Sequence, residues 1–100
     1  MVEKVKLKGG LEKTVTWVWL EGAQIKVEYY DFSEDAQQMF GNDIAYTLTV
    51  TEMDKLYSVA KLDEAILIQW LVENFKTYFA IKKWLEDNKI GFTVEIESHA

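Results

Sequence analysis

Alternating apolar and polar residues predict strands along much of the chain. Near the start, Val5 and Leu7 alternate with lysines until Gly9-Gly10 ends the pattern. Four longer runs share either this alternation or a high content of β-branched and aromatic residues, and they occupy 13–20, 24–32, 44–50 and 92–97. The sequence therefore predicts five strands.

The second and third strands are separated by Glu21-Gly22-Ala23, which predicts a hairpin. A two-residue turn would place Trp17 and Trp19 opposite polar residues of the next strand. A loop with an odd number of residues would instead place one apolar set beside another, namely Val15, Trp17 and Trp19 beside Ile25, Val27 and Tyr29. Because a slip of one residue moves every side chain to the other face, we expect the odd loop.

With that register, the outer face of the sheet carries mostly short polar side chains. Its residues are Thr14, Thr16, Val18, Lys26, Glu28, Tyr30, Thr47, Thr49 and Thr93. Threonine and tyrosine suit a sheet face that meets solvent. A flat face of this kind also suits protein docking, which makes Tyr30, Thr47 and Thr49 candidate partner-binding residues.

Capping residues predict two short helices. Ser33 is a suitable N-cap for the first, two acidic residues follow in its first turn, and Gly41 ends it. Thr51 followed by Asp54 resembles a capping box and begins the second helix, which ends at about Ala60.

A long helix is predicted from Asp63, its N-cap, to about Asp87, with Asn88 at its end. On a wheel of about 100° per residue, residues 64–88 place one apolar stripe toward the core. The stripe consists of Leu67, Leu71, Phe75, Tyr78, Ile81 and Leu85. Asn74 lies near the centre of this stripe, where a buried amide must be hydrogen-bonded. It marks a kink, a buried water or a polar contact in a ligand pocket.

Further apolar residues flank the stripe on both sides: Ile68, Val72 and Phe79 on one, and Ile66, Trp70 and Trp84 on the other. A helix with so wide an apolar arc needs cover from two directions. In one interpretation, the sheet and the preceding helix cover both sides. In the other, the flank of Ile66, Trp70 and Trp84 stays open and binds a partner subunit or another protein, since exposed apolar patches tend to mark interaction sites.

The predicted elements follow the order β-β-β-α-β-α-α-β. This order is typical of an α+β two-layer sandwich, in which helices pack on one face of a mainly antiparallel five-stranded sheet. One hundred residues suffice for one core, and no repeat or linker interrupts the pattern. We therefore expect a single domain over residues 1–100.

Composition removes most of the groups that catalytic sites use. The chain contains no arginine, cysteine or proline, and its one histidine is His99. Without cysteine there is no thiolate for a metal site and no disulfide, and we expect His99 to lie in a disordered tail. The sequence therefore predicts a protein without enzymatic activity, cofactor or metal.

Two acidic patterns resemble sites but carry little weight. The segment that begins at Asp31 resembles a calcium loop, yet Ala36 and Asn42 occupy the positions where an EF-hand requires Gly and Glu. Asp31 and Asp43 are the most suggestive carboxylate pair for hydrolysis. With 17 acidic residues in the chain, however, chance pairs are common.

The net charge of −6 opposes binding to nucleic acid and to anionic membranes. Lys4, Lys6 and Lys8 project together from the first strand, where lysines protect a sheet edge from pairing; in the alternative, they face Glu95 and Glu97 across a strand pair. No apolar run is long enough for a membrane span or a signal sequence. We therefore expect a cytoplasmic protein.

Three functions fit these observations. The first is a small acidic protein-interaction module, whose partner is a second copy or another protein. The second is an acidic inhibitor or immunity-type protein that binds a basic target, on a likeness of size and charge only. The third is a small-molecule binder with an aromatic pocket between sheet and helices, lined by Trp17, Trp19, Tyr29, Tyr46, Trp70 and Tyr78.

Overall fold

The computed structural model describes residues 4–9, 14–31 and 43–99. The strands are β1 (Val5–Lys6), β2 (Thr14–Glu21), β3 (Gln24–Asp31), β4 (Asp43–Val50) and β5 (Phe92–His99). The helices are α1 (Met53–Ala60), α2 (Glu64–Asn74) and α3 (Tyr78–Asp87). The predicted α+β class is confirmed. The order of the described elements is β-β-β-β-α-α-α-β, and the helix predicted between Ser33 and Gly41 lies outside the described residues.

All five strands pair antiparallel in the spatial order β1-β2-β3-β4-β5, so the chain adds each strand beside the previous one. The edges of the sheet are β1 and β5. The lysines around β1 therefore lie at an edge, as predicted. The alternative, in which they face Glu95 and Glu97 across a strand pair, is wrong because β1 and β5 occupy opposite edges.

The β2–β3 hairpin has a two-residue turn at Gly22 and Ala23, and Glu21 pairs with Gln24. Both turn residues have positive φ, 58° and 65°, as in the turns whose twist matches that of paired strands. The predicted odd loop is therefore wrong. The prediction fails at Ala23. Alanine rarely adopts a positive φ, so its presence gives no local signal for this turn.

This register turns Thr16, Val18 and Leu20 toward the helices and Trp17 and Trp19 toward the far face of the sheet. Assignment of Thr14, Thr16 and Val18 to the far face was thus wrong. The other residues predicted there do lie on that face: Lys26, Glu28, Tyr30, Thr47, Thr49 and Thr93.

The core lies between the inner face of the sheet and the helices. Its fully buried members are Leu7, Val18, Ile25, Val27, Leu48 and Val50 from the sheet side, and Leu56, Leu67, Leu71, Tyr78, Ile81 and Leu85 from the helices. Most of the apolar stripe predicted for residues 64–88 is therefore buried, because both α2 and α3 direct their share of it toward the sheet.

The predicted long helix is nevertheless two helices. Residues 75–77 interrupt it: Phe75 is extended, and the Thr77 hydroxyl caps α3 by accepting a hydrogen bond from the Ala80 N–H at 3.2 Å. Asn74 is exposed, and its amide donates to the Trp70 carbonyl at 2.8 Å. Of the three interpretations of Asn74, the kink comes nearest, whereas the buried amide is wrong.

Two further helix ends differ in part from the prediction. Glu52, not Thr51, occupies the N-cap of α1, and no side chain caps it; the Glu52 carboxylate instead accepts from the Gly91 N–H at 2.6 Å. The Asp63 cap is confirmed, since its side chain accepts from the Ala65 N–H at 3.1 Å. At the end of α3 the left-handed residue is Lys89 rather than Asn88.

The last described residues belong to the sheet. β5 continues to His99, which pairs with Asp43, so the expected disordered tail at His99 is wrong. None of the helices found in 4–9, 14–31 and 43–99 has both the length and the apolar content that a membrane crossing requires.

Candidate partner-binding surface

The six predicted partner-binding residues form two groups on opposite sides of the sheet. Ile66, Trp70 and Trp84 lie on the helices, whereas Tyr30, Thr47 and Thr49 lie on the far face. The structure does not bring the two groups together, so each is a separate candidate surface.

On the helical side, Trp70 and Trp84 pack against each other and against Phe75. The ring centroids are 5.3 Å apart for Trp70 and Trp84, 5.4 Å for Trp70 and Phe75, and 5.9 Å for Phe75 and Trp84. The break between α2 and α3 makes this cluster possible, because it lets the two helices turn these rings toward one another. Both tryptophans are half-buried, while Ile66 is 49% exposed beside a shallow cavity of about 210 Å³.

On the far face, polar groups are largely engaged within the sheet. The Lys26 ammonium donates to the Thr49 hydroxyl at 3.0 Å, and Thr47 lies opposite Glu28 in the ladder. Trp19 is buried on this face, with the Lys4 ammonium 4.3 Å from its ring centroid, a distance suited to a cation–π contact. This face therefore offers little apolar surface around Thr47 and Thr49.

The predicted aromatic pocket is only partly assembled. Tyr29, Tyr46 and Tyr78 do stack on the helical side, with centroids 5.7 to 6.1 Å apart. Trp17 and Trp19 face the other side of the sheet, and Trp70 belongs to the separate cluster with Phe75 and Trp84. The predicted lining is therefore wrong for these three tryptophans, because the hairpin register and the helix break place them elsewhere.

Three of the exposed large apolar residues lie on or beside β5. Phe79 is 52% exposed, Ile96 65% and Val94 36%. We call these three residues the β5 strip. They line a groove of about 240 Å³ together with Tyr46, Tyr78 and Lys82. An apolar strip of this kind, bordered by a lysine, is typical of an interaction surface.

The position of the helices explains why the β5 strip is exposed. Helix α2 packs over β1 and β2, and α3 packs over β3. Val94 and Ile96 point to the same side of the sheet as the core residues Leu48 and Val27, but they lie beyond the area that the helices cover. The strip is thus the uncovered margin of the core face.

Phe79 is held in place although half of its side chain is exposed. Its ring contacts Tyr29 and Tyr78 edge-on, with centroids 4.9 and 5.1 Å apart. Burial raises the pKa of Tyr78 to about 12, and burial followed by the nearby Asp31 carboxylate raises the pKa of Tyr29 to about 12. Both hydroxyls are therefore neutral at physiological pH, and the Phe79 ring packs against two uncharged tyrosine rings.

The two edges of the sheet differ in their protection. β1 is a short strand flanked by Lys4 and Lys8, which discourages pairing with another chain. β5 is eight residues long and pairs with β4 without a bulge from Phe92 to His99. No residue in the described part of the chain pairs with its outer edge. A long regular edge therefore lies directly beside the β5 strip.

Sequence reasoning missed the β5 strip. It placed Phe79 in the apolar arc of the long helix and residues 92–97 in a strand, but it did not identify them as a surface. The signal was the alternation in β5 itself, but its meaning depends on sheet order. Only the finding that β5 is an edge strand, beyond the buried core residues of β4, shows that this alternation stays exposed.

Comparison of the chain with models of protein families, with curated proteins and with solved structures gave no match. The assignment of a functional surface therefore depends on the geometry described above.

Proposed function

We propose that this protein is a non-enzymatic protein-interaction module that binds a strand of its partner along the outer edge of β5. In this mode of recognition, main-chain hydrogen bonds to an open strand edge supply affinity, and pockets for alternate side chains supply specificity. The β5 strip and its groove are the site for those side chains.

One observation carries the proposal: the exposed apolar strip lies beside a strand edge with which none of the described residues pairs. Val94 and Ile96 belong to the edge strand itself, and Phe79 projects from α3 beside them. A strand added at this edge would satisfy the outer N–H and C=O groups of β5 and cover the strip at once. Neither surface predicted from the sequence combines these two features.

The surfaces around Ile66 and around Tyr30 remain predictions. Ile66 is exposed, but Trp70 and Trp84 bury part of their apolar surface against each other. Thr47 and Thr49 lie in the interior of the sheet, where both neighbouring strands already occupy the ladder. The cytoplasmic location is likewise a prediction that the fold does not test.

The proposal is tested by titrating the labelled protein with an extended peptide of alternating valine and threonine and recording amide chemical shifts. We expect the shifts to change along β5 and near Phe79, and we expect Ile96→Lys to abolish the change. Ile66→Lys is the matched control, because Ile66 is also an exposed isoleucine but lies on α2. Shift changes confined to the region of Ile66, or equal loss in both variants, would show that the β5 edge is not the binding surface.

A further inference from the structure

We infer that the partner strand comes from a second copy of this chain, with β5 paired antiparallel to β5 around a twofold axis at Val94. This inference rests on the proposed function, because it names the occupant of the same edge. It follows from the sequence of residues along β5, from the difference between the two sheet edges and from the closure that the resulting dimer would have.

A twofold axis perpendicular to the sheet keeps the two faces of the sheets in register. Residues that face each other across the axis must then point to the same face of the sheet. The axis therefore lies midway between two copies of the same β5 residue. With the axis at Val94, Phe92 lies opposite Ile96 of the second copy and Val94 lies opposite itself. The apolar side of one β5 therefore meets the apolar side of the other, and the two grooves beside Phe79 join.

The charged residues of β5 select this register. With the axis at Val94, Glu95 lies opposite Thr93, and no glutamate faces another. An axis at position 95 places Glu95 opposite itself, and an axis at Ile96 places position 95 opposite position 97, both glutamates. Like charges directly opposite in a strand pair are destabilising. Axes at Thr93 and at Ser98 also avoid this, but each pairs only three residues of β5 (92–94 or 97–99), whereas an axis at Val94 pairs five (92–96).

The same pairing accounts for the difference between the short β1 edge, with its lysines, and the longer β5 edge. Two five-stranded sheets joined at β5 form one continuous ten-stranded sheet whose outer edges are both β1. These edges are short and carry Lys4, Lys6 and Lys8. An interface that uses the same patch on both copies is closed, so the association ends at two copies.

Cysteine cross-linking tests this register, because the chain has no cysteine of its own and each variant therefore carries a single thiol. Directly opposite residues of antiparallel strands have Cα atoms about 4.5 to 5.5 Å apart, within the range that a disulfide spans. Diagonal neighbours are about 7 to 8 Å apart, which a disulfide bridges poorly. We therefore expect Val94→Cys to form a covalent dimer rapidly under mild oxidation.

Two further variants serve as matched controls. Thr93→Cys and Glu95→Cys should each cross-link slowly alone, since positions 93 and 95 do not face themselves in this register. A mixture of the two should form the mixed disulfide rapidly, because position 93 faces position 95. Equal rates for Val94→Cys and Glu95→Cys alone, or no preference for the mixed species, would overturn the register.

Sedimentation of the unmodified protein over a wide concentration range supplies a measurement that does not depend on any variant. A monomer–dimer equilibrium, abolished by Ile96→Lys and retained in Ile66→Lys, is the expected result. If the protein stays monomeric but β5 binds the extended peptide, the second copy is wrong and the proposed function stands. If neither association occurs at β5, both are wrong.

Discussion

The side-chain hydroxyl of Thr16 accepts a hydrogen bond from the backbone N–H of Tyr78 at 3.2 Å, across 62 positions of sequence. Thr16 lies on the inner face of β2 and is 3% exposed. The first N–H groups of a helix have no partner within the helix, so this hydroxyl satisfies a donor that the break between α2 and α3 creates. Beside it, the Gly9 N–H donates to the Lys76 carbonyl at 3.0 Å and fixes the same break to the chain after β1.

Replacement of Thr16 by valine should destabilise the fold. Valine keeps the shape of the side chain but leaves the Tyr78 N–H buried without an acceptor, which costs about 1 to 3 kcal/mol. Urea denaturation followed by circular dichroism measures the change in the free energy of unfolding. Thr47→Val on the far face is the control, with an expected change within about 0.5 kcal/mol. Equal stability of the Thr16→Val variant and the unmodified protein would show that the hydrogen bond contributes nothing.

The hairpin turn offers a pair of opposite substitutions. Ala23 has φ 65° and Gly22 has φ 58°, a region that costs a side chain-bearing residue about 1 kcal/mol. Ala23→Gly should therefore raise the free energy of unfolding by a few tenths to about 1 kcal/mol. Gly22→Ala should lower it by a similar amount, although a Cβ at Gly22 would meet no atom within 4 Å.

Thermal and urea unfolding of both turn variants test this account. Because the space around Gly22 is open, only backbone strain distinguishes the two substitutions. A change of the same sign in both variants would contradict the positive φ of Gly22 or of Ala23.

Alkaline pH should destabilise the protein between the ordinary tyrosine pKa of about 10 and the raised value of about 12. The folded state raises the pKa of Tyr29 and Tyr78 to about 12, whereas tyrosine in an unfolded chain ionises at about 10. The folded state therefore holds protons that the unfolded state releases, and the stability present below about pH 10 is lost as pH rises toward 12.

Ultraviolet absorbance of tyrosinate, recorded together with circular dichroism, measures this loss. We expect Tyr29 and Tyr78 to ionise at higher pH than an exposed tyrosine, and to do so together with unfolding. Tyr29→Phe removes one of the two groups, so the free energy of unfolding of this variant should decline less steeply with pH. Complete ionisation of all tyrosines near pH 10 in the folded protein would contradict the burial of Tyr29 and Tyr78.

The salt dependence of the dissociation constant distinguishes self-association from binding to a basic target. Each copy carries a net charge of −6, so two copies repel each other and added salt screens that repulsion. The dimer dissociation constant, measured by sedimentation, should decrease severalfold as ionic strength rises. Binding of an acidic inhibitor to a basic target would weaken under the same change, so a dissociation constant that increases with salt argues against the β5 dimer.

Much of the fold could be predicted from the sequence because strand alternation is a local property. All five strands lie close to their predicted positions, and the Asp63 cap was identified correctly. The two main errors have non-local or unusual causes. Ala23 adopts a conformation that alanine seldom takes, and the apolar periodicity of residues 64–88 continues across a break that Thr16 stabilises from a distant strand.

The candidate surface could not be predicted for a related reason. Alternation identifies Val94 and Ile96 as residues of one side of a strand, but it does not reveal which strands the helices cover. That depends on the order of strands in the sheet and on the lateral position of α2 and α3, both of which arise from packing over the whole chain. Thr77 was the one local sign of the helix break, since threonine is a good N-cap.

Amide hydrogen exchange along β5, measured by NMR at low and high protein concentration, tests the central claim most directly. If the outer edge of β5 pairs with a second copy around Val94, the amides of residues 92–96 that point away from β4 should exchange severalfold more slowly at high concentration, while the amides of β1 and α2 should not change. Exchange along β5 that is independent of concentration, with protection appearing instead around Ile66 or nowhere, would contradict it.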